Sequence, residues 1–325
     1  MRSLFVFSCL LMAAEIQMIA ADDSGPRLLD HLNNQVAIAK AMPDTATTRT
    51  SSNIRVDVNM ALVPVTVMDA SGHSVLGLNQ NNFRVFDGNE QRPIISFGTS
   101  DAPISIGLIY DCSRSMTDKF AIARQAPLQL FSQLNPEDEA FLVTVSDKPA
   151  VRQEFTSAFS DITNALMFTN PNGTTSLVDG IYMGLQLLKK AHNPRKALIV
   201  VSDGGDNNSR YTLHDLANLA AEADAEIFTI CLYQHPETEE EANGPALLAR
   251  LAQVSGGINY MIGDVNVMKT AFGQIGVTLH NQYMLGYYPA EDAPSGKYRK
   301  IKVQLLVPQG IQRLQIFSRS GYYVP

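Results

Sequence analysis

Hydrophobic positions along the chain follow three successive rhythms. From Ile54 they alternate: Ile54, Val56, Val58 and Met60 share one face, and Val63, Val65 and Val67 continue the period of two after a phase change. That spacing predicts half-buried strands. Ala70-Ser71-Gly72 reads as a turn. Phe83, Val85 and Phe86 lead into Asp87-Gly88, a hairpin signal. Ile94, Ile95 and Phe97 close a β-rich flank over residues 54–100.

At Pro103 the grammar changes. Residues 104–110 form a continuous apolar run, as expected of a strand covered on both faces. Residues 140–145, 197–201, 227–232 and 259–262 read as further strands, and 151–155 as an edge strand. Stretches with helical spacing separate them: 120–134, where Pro127 should introduce a kink, then 178–191, 213–223, 246–254 and 267–281. Strands alternating with helices predict an α/β fold over residues 103–281. Its sheet is doubly wound and mostly parallel, with helices on both faces. After Gln282 the period of two returns, in 283–288, 300–307 and 311–317, with Pro308-Gln309-Gly310 as a turn. The flanks 54–100 and 282–325 would each be marginal alone. They are expected to pair into one small β-sandwich, with the α/β block inserted between them.

Ahead of the strands the pattern is not that of a folded core. Arg2, the apolar stretch 4–14 and the cleavage-site stretch Ile19-Ala20-Ala21 have the layout of an export signal over residues 1–21, cut after Ala21. The apolar stretch is shorter than the roughly 18 residues a spanning helix needs, so no membrane span is expected in the mature chain. Residues 22–53 read as a flexible segment, with room for one short helix over 28–41. The expected location is periplasmic or secreted.

Composition narrows the function classes. A hydrophobic fraction of 45% and a charged fraction of 18% are those of an ordinary globular protein. The net charge of -7 and the lack of a Lys/Arg run leave nucleic acid without an electrostatic reason to bind. The six histidines are scattered, with no zinc-ligand spacing. Cys112 and Cys231 fall at the ends of strands of one sheet and are expected to be free, buried thiols.

The chemistry lies in three loops. The first strand of the α/β block ends in Asp111-Cys112-Ser113-Arg114-Ser115. A later one ends in Ser202-Asp203-Gly204-Gly205-Asp206. Asn172-Gly173-Thr174-Thr175-Ser176 directly precedes a helix. Alone, Asp111 and its serines read first as a helix cap. With Thr175 and Asp203 brought to the same sheet edge they suit a hard cation, because hydroxyls and carboxylates are the oxygen ligands Mg²⁺ takes. Neutral hydroxyl ligands leave such a metal electrophilic, ready for a carboxylate from outside. Asp206, Asn207 and Asn208 read as solvation of the next loop, and the acidic run Glu237, Glu239, Glu240 and Glu241 as a solvated loop.

The block 103–281 resembles the von Willebrand factor A (VWFA) domain. Asp111, Ser113 and Ser115 match the D-x-S-x-S element of that family's metal-ion-dependent adhesion site, and Thr175 and Asp203 match its second and third elements. The flanks are similar to those of secreted bacterial VWFA-related proteins, on Val63-Pro64-Val65-Thr66-Val67, Asn82-Phe83-Arg84-Val85-Phe86-Asp87-Gly88, Tyr283-Met284-Leu285-Gly286-Tyr287-Tyr288-Pro289, Tyr298-Arg299-Lys300-Ile301-Lys302-Val303 and Gly321-Tyr322-Tyr323. The resemblance implies a non-enzymatic, adhesion-like module. In it Asp111, Ser113, Ser115, Thr175 and Asp203 hold Mg²⁺ (or Mn²⁺ or Ca²⁺), and the metal captures an acidic side chain of a partner protein. Arg114 stands where the family often has Gly. It either lowers metal affinity or contacts the acidic partner. A structural envelope or scaffold role is the alternative. A haloacid-dehalogenase-type phosphatase would need an acid at position 113, where Ser113 stands. No G-x-G-x-x-G follows the first strand and no G-x-S-x-G is present, which removes dinucleotide-binding and α/β-hydrolase readings.

Overall fold

The computed structural model describes residues 60–232, 239–290, 296–307 and 313–323. The export signal, the segment 22–53 with its short helix, Ile54 to Val58, Glu237 and the Pro308-Gln309-Gly310 turn all lie outside these residues.

The first flank forms strands β1 (Ala61–Met68), β2 (Phe83–Asp87), β3 (Glu90–Arg92) and β4 (Ser96–Ser100). Val63, Val65 and Val67 of β1 are fully or almost fully buried, whereas Leu62 is 46% exposed, so the period of two sorts core from surface at the start of the strand; farther on, Thr66 and Met68 are buried as well. The α/β block follows in the order β5 (Ile104–Asp111), α1 (Thr117–Ala123), α2 (Pro127–Phe131), β6 (Glu139–Val145), β7 (Ala150–Thr156), α3 (Phe159–Met167), α4 (Leu177–Leu188), β8 (Arg195–Ser202), α5 (Leu213–Glu222), β9 (Glu226–Leu232), α6 (Glu239–Ser255), β10 (Asn259–Ile262) and α7 (Met268–His280). Strands β11 (Gln282–Tyr287), β12 (Tyr298–Leu305), β13 (Gln315–Ser318) and β14 (Gly321–Tyr323) complete the chain.

Six strands of the block form one sheet in the order β10-β9-β8-β5-β6-β7, parallel except for the edge pair β6–β7. Alternate residues of each strand feed two cores. Ile104, Ile106, Leu108 and Tyr110 pack with α1, α2 and α7. Ile109, Phe141, Val143, Leu198 and Val200 pack with α4, α5 and α6. This is the doubly wound α/β fold expected from the continuous apolar runs. Gly107 is needed on the second face, where a Cβ would lie 2.4 Å from the Phe141 ring and 2.6 Å from Leu198 Cδ1.

The two flanks interleave. One sheet has the order β13-β1-β11-β4 and the other β14-β12-β2-β3. Both sheets feed one apolar core, built from Val63, Val65, Phe83, Val85, Tyr283, Leu285, Tyr287, Ile301 and Val303. The sandwich joins the α/β block through a buried amide. Gln282 Nε2 donates to both carboxylate oxygens of Glu226 (2.8 and 3.0 Å) and to Thr66 Oγ1 (3.1 Å), and its Oε1 accepts from Arg195 (2.7 Å). Burial pushes the Glu226 carboxyl up to about 7.

Several expectations need correction. The single helix expected over 120–134 is two: Pro127 opens α2 at a first-turn position, where its missing N–H costs nothing. α6 begins at Glu239 and not at 246, so Glu239, Glu240 and Glu241 open a helix instead of lying in a loop. α3 was not foreseen, although Phe159, Ile162 and Leu166 have helical spacing. β13 starts at Gln315, later than the expected 311. Tyr287 is fully buried in the sandwich, but Tyr288 is 48% exposed and adds nothing to its core.

The entry and exit of the α/β block meet at His280, the last residue of α7. Its Nδ1 lies 2.9 Å from Asp101 Oδ1 and its Nε2 3.1 Å from the buried Asp138 Oδ2. The contact with Asp138 is the stronger influence on the ring. Asp138, then Asp101, raise the His280 pKa above its ordinary 6.5. A raised folded value means stabilisation fully present below about 6.5 and lost as pH climbs through the folded pKa. His280→Gln is therefore expected to lower the melting temperature at pH 6 and to converge on the wild-type value as pH rises through the folded pKa. A deficit that does not change with pH would contradict this.

Candidate metal centre

β5 and β8 are neighbours where strand order reverses: the chain leaves β5 for β6 on one side and returns to β8 on the other. Crevices at the carboxyl ends of strands at such a point are where open α/β sheets bind ligands. Asp111 ends β5, and Asp203 directly follows β8. The loop before α4 is drawn to the same edge by backbone hydrogen bonds. Asn172 N donates to Cys112 O (2.9 Å), Arg114 N to Gly173 O (3.2 Å) and Ser176 N to Ser146 O (3.0 Å).

The five residues singled out from the sequence come together here. Ser113, Ser115, Thr175 and Asp203 line one cleft of about 500 Å³, with Arg114, Asp147, Gly173, Thr174, Gly205 and Asn207. Asp111 lies buried beneath it. Its Oδ1 accepts from Ser113 N (2.9 Å) and its Oδ2 from Ser202 Oγ (2.6 Å), which ties the end of β5 to the end of β8. Ser113 Oγ and Ser115 Oγ are 3.1 Å apart. The helix-cap alternative is not realised, because neither the 3-10 turn Arg114–Met116 nor α1 receives a side-chain cap. Thr175 is held from below: its N donates to Asn207 Oδ1 (3.0 Å), and its O accepts from Asn207 N and Asn208 N.

Electrostatically the cleft is a place for positive charge. Burial first, and then the neighbouring Asp203, push the Asp111 carboxyl up to about 6 against the pull of Ser113 and Ser202. Asp203 Oδ1 is buried and has no hydrogen-bond partner. A buried carboxylate oxygen without a partner calls for an explanation, and an ion is one. Among the described residues no three His, Cys, Asp or Glu side chains cluster as a metal site. A cation at this edge would therefore rely on the hydroxyls of Ser113, Ser115 and Thr175 together with the two carboxylates, a set of hard oxygen donors. The thiols do not compete. Cys112 and Cys231 are free and buried, and burial raises both thiol pKa values, that of Cys231 to about 11.

Four residues of this edge escaped the sequence reading. Ser202 bridges to Asp111, but in sequence it is only the last residue of an apolar strand. Asp147 accepts from Thr174 N and Oγ1 (both 2.7 Å), and Gly173, at φ +75°, leaves it room. Lys119 of α1 places Nζ 3.8 Å from Asp203 Oδ2. Asp206 does not merely solvate its loop: its Oδ2 accepts from Val178 N (2.9 Å) at the start of α4. Asp147 alone had a simple signal, as the first acid after a buried strand.

Residues 106–205 match the profile of the von Willebrand factor type A domain. No curated protein matches the chain. Among solved structures, it is similar to a von Willebrand factor type A protein from Catenulispora acidiphila, at 13% identity over 73% of this chain and 75% of that one, with a TM-score of 0.46. It is also similar to the vWF domain of the type V pili tip protein Mfa5 from Porphyromonas gingivalis, at 13% identity over 55% and 96%, TM-score 0.44. A third is the PilB minor pilin from Streptococcus sanguinis, at 15% identity over 58% of this chain, TM-score 0.45; the chain spans 63% of that pilin's length. The chain carries a von Willebrand factor type A domain. Among the described residues no helix is long and apolar enough to cross a membrane.

Proposed function

We propose that this is an exported, non-enzymatic binding protein of the secreted bacterial type. Ser113, Ser115 and Thr175, with Asp111 and Asp203, hold Mg²⁺, or else Mn²⁺ or Ca²⁺, and the metal takes a carboxylate of a partner protein in an open position. The observation that carries this reading is the partnerless, buried Asp203 Oδ1 at a cleft lined by the hydroxyl residues Ser113, Ser115 and Thr175. When bound, the metal supplies an electrophilic centre. The chain's own part is to orient oxygen donors from three loops and to keep the two carboxylates buried. Arg114 is exposed at the cleft rim, with its charge felt by Asp147, and offers a second contact to an acidic partner. Ser113 cannot serve as the general acid that a phosphatase would need there, and the raised Cys112 thiol is a poor nucleophile.

The test is recovery of a partner from envelope extract by the full chain in Mg²⁺ against EDTA. The same partner should be retained in Mg²⁺ and lost in EDTA. Equal recovery in both contradicts a metal-bridged contact. Metal binding with no partner recovered would favour a scaffold role.

A further inference from the structure

Lys119 is the third residue of α1, the helix that directly follows the Asp111-Cys112-Ser113-Arg114-Ser115 loop. Its ammonium lies 3.8 Å from Asp203 Oδ2, and the two side chains are only 11% and 10% exposed. That distance is beyond hydrogen-bond range. The ammonium therefore offsets the charge of Asp203 without saturating the carboxylate, and Oδ1 stays without a partner. Arg114, the cation lining the cleft, is exposed, and its charge is felt by Asp147, so solvent screens it far more.

We propose that Lys119 is a resident counter-cation of the metal centre, offsetting the charge of Asp203 when no metal is bound and opposing the entry of a divalent ion. The inference rests on the metal-centre reading above. With Lys119 in place, two carboxylates and one ammonium leave a single net negative charge for the metal; without it there are two. Little water separates these charges, so the difference is large on the scale of binding constants. Lys119 thereby makes occupancy depend on the surrounding cation concentration instead of fixing the metal permanently. It also keeps the loaded site net positive toward an anionic ligand.

The experiment is calorimetric titration of Mn²⁺ into the full chain, for wild type, Lys119→Met and Lys119→Arg, with melting curves in EDTA. Lys119→Met keeps the aliphatic length and removes the charge. It is expected to tighten Mn²⁺ binding about tenfold or more, while Lys119→Arg stays near wild type. In EDTA the Met variant should melt several degrees lower, because the carboxylate pair loses its counter-charge, and saturating Mn²⁺ should narrow that deficit. Lys119→Gln, read the same way, serves if the Met variant does not fold. Equal Mn²⁺ affinity in wild type and the neutral variants would overturn the role of Lys119 and leave the metal centre standing. Folded proteins that all fail to bind Mn²⁺ would overturn the metal centre and this inference together.

Discussion

Asp111→Asn is expected to abolish the thermal stabilisation conferred by a divalent metal while leaving the metal-free protein as stable as wild type or more so. The amide oxygen still accepts from Ser113 N, so the turn at the end of β5 keeps its hydrogen bond. What is lost is the charge, and the contact with Ser202 Oγ must reverse, with the amide nitrogen now donating to it. Burial and the neighbouring Asp203 hold the folded carboxyl at about 6, above the ordinary 3.8. A carboxyl with a raised folded pKa binds more protons in the folded state, so its contribution to stability falls as pH rises from about 4 to about 6 and stays unfavourable above. Asparagine removes that cost, and its advantage in EDTA should be visible at pH 8 and shrink at pH 5. With a ligand at a hundredfold its Kd, the wild type should gain about 2.7 kcal/mol from mass action, and the variant should gain nothing. Melting curves at pH 8 with Mn²⁺ and with EDTA read both effects. A variant that gains as much from Mn²⁺ as wild type does would remove Asp111 from the site.

Gly244→Ala is expected to cause a large loss of stability for a single added carbon. Gly244 lies inside α6, against the loop that follows Asp203. A Cβ there would sit 2.1 Å from Gly204 O and 2.3 Å from Gly204 C. Both are backbone atoms, so no rotamer change relieves the clash. Helix and loop must separate, at a cost of ~3 kcal/mol or more. Gly204 itself has φ +92° and the reciprocal contact, with its Cβ position 2.8 Å from Gly244 Cα, so neither partner can yield. The melting temperature should fall by about 10 °C, and Mn²⁺ binding should weaken, since Gly204 adjoins Asp203. Gly263→Ala, with nothing within 4 Å of the added carbon, is the control and should change little. Equal behaviour of the two variants would mean that the α6 contact is not what fixes the loop.

The fold was legible wherever burial alone decides the pattern. β5, β6, β8 and β9 each have two covered faces, and their apolar runs say so without help from neighbours. The flanks were legible as strands for a different reason: Val63, Val65 and Val67 alternate because they share the face toward the sandwich core, while the other face passes from exposed Leu62 to Thr66 and Met68, covered by the α/β block. α6 was harder. Its first turns carry acids, Gly244 and Pro245, which read as a loop by propensity, and contact with Gly204 overrides that reading. At the site, Asp111, Ser113, Ser115, Thr175 and Asp203 were legible because each follows a strand or precedes a helix, positions that the α/β order sends to one edge. Ser202 and Lys119 were not. Their roles depend on which strands are neighbours and on the angle at which α1 leaves the loop, and neither is written in local spacing. Asp206 and Asn207 were misjudged because polar loop residues look alike in sequence whether they face water or cap a backbone.

The most direct test of the metal centre is a titration of Mn²⁺ into the full chain, with Asp203→Asn beside it. Asp203 brings the buried oxygen without a partner, and asparagine keeps its shape while removing its charge. The reading predicts one Mn²⁺ bound per wild-type chain, competed by Mg²⁺, and binding lost in the variant. Binding that is absent from the wild type, or unchanged in Asp203→Asn, would contradict it.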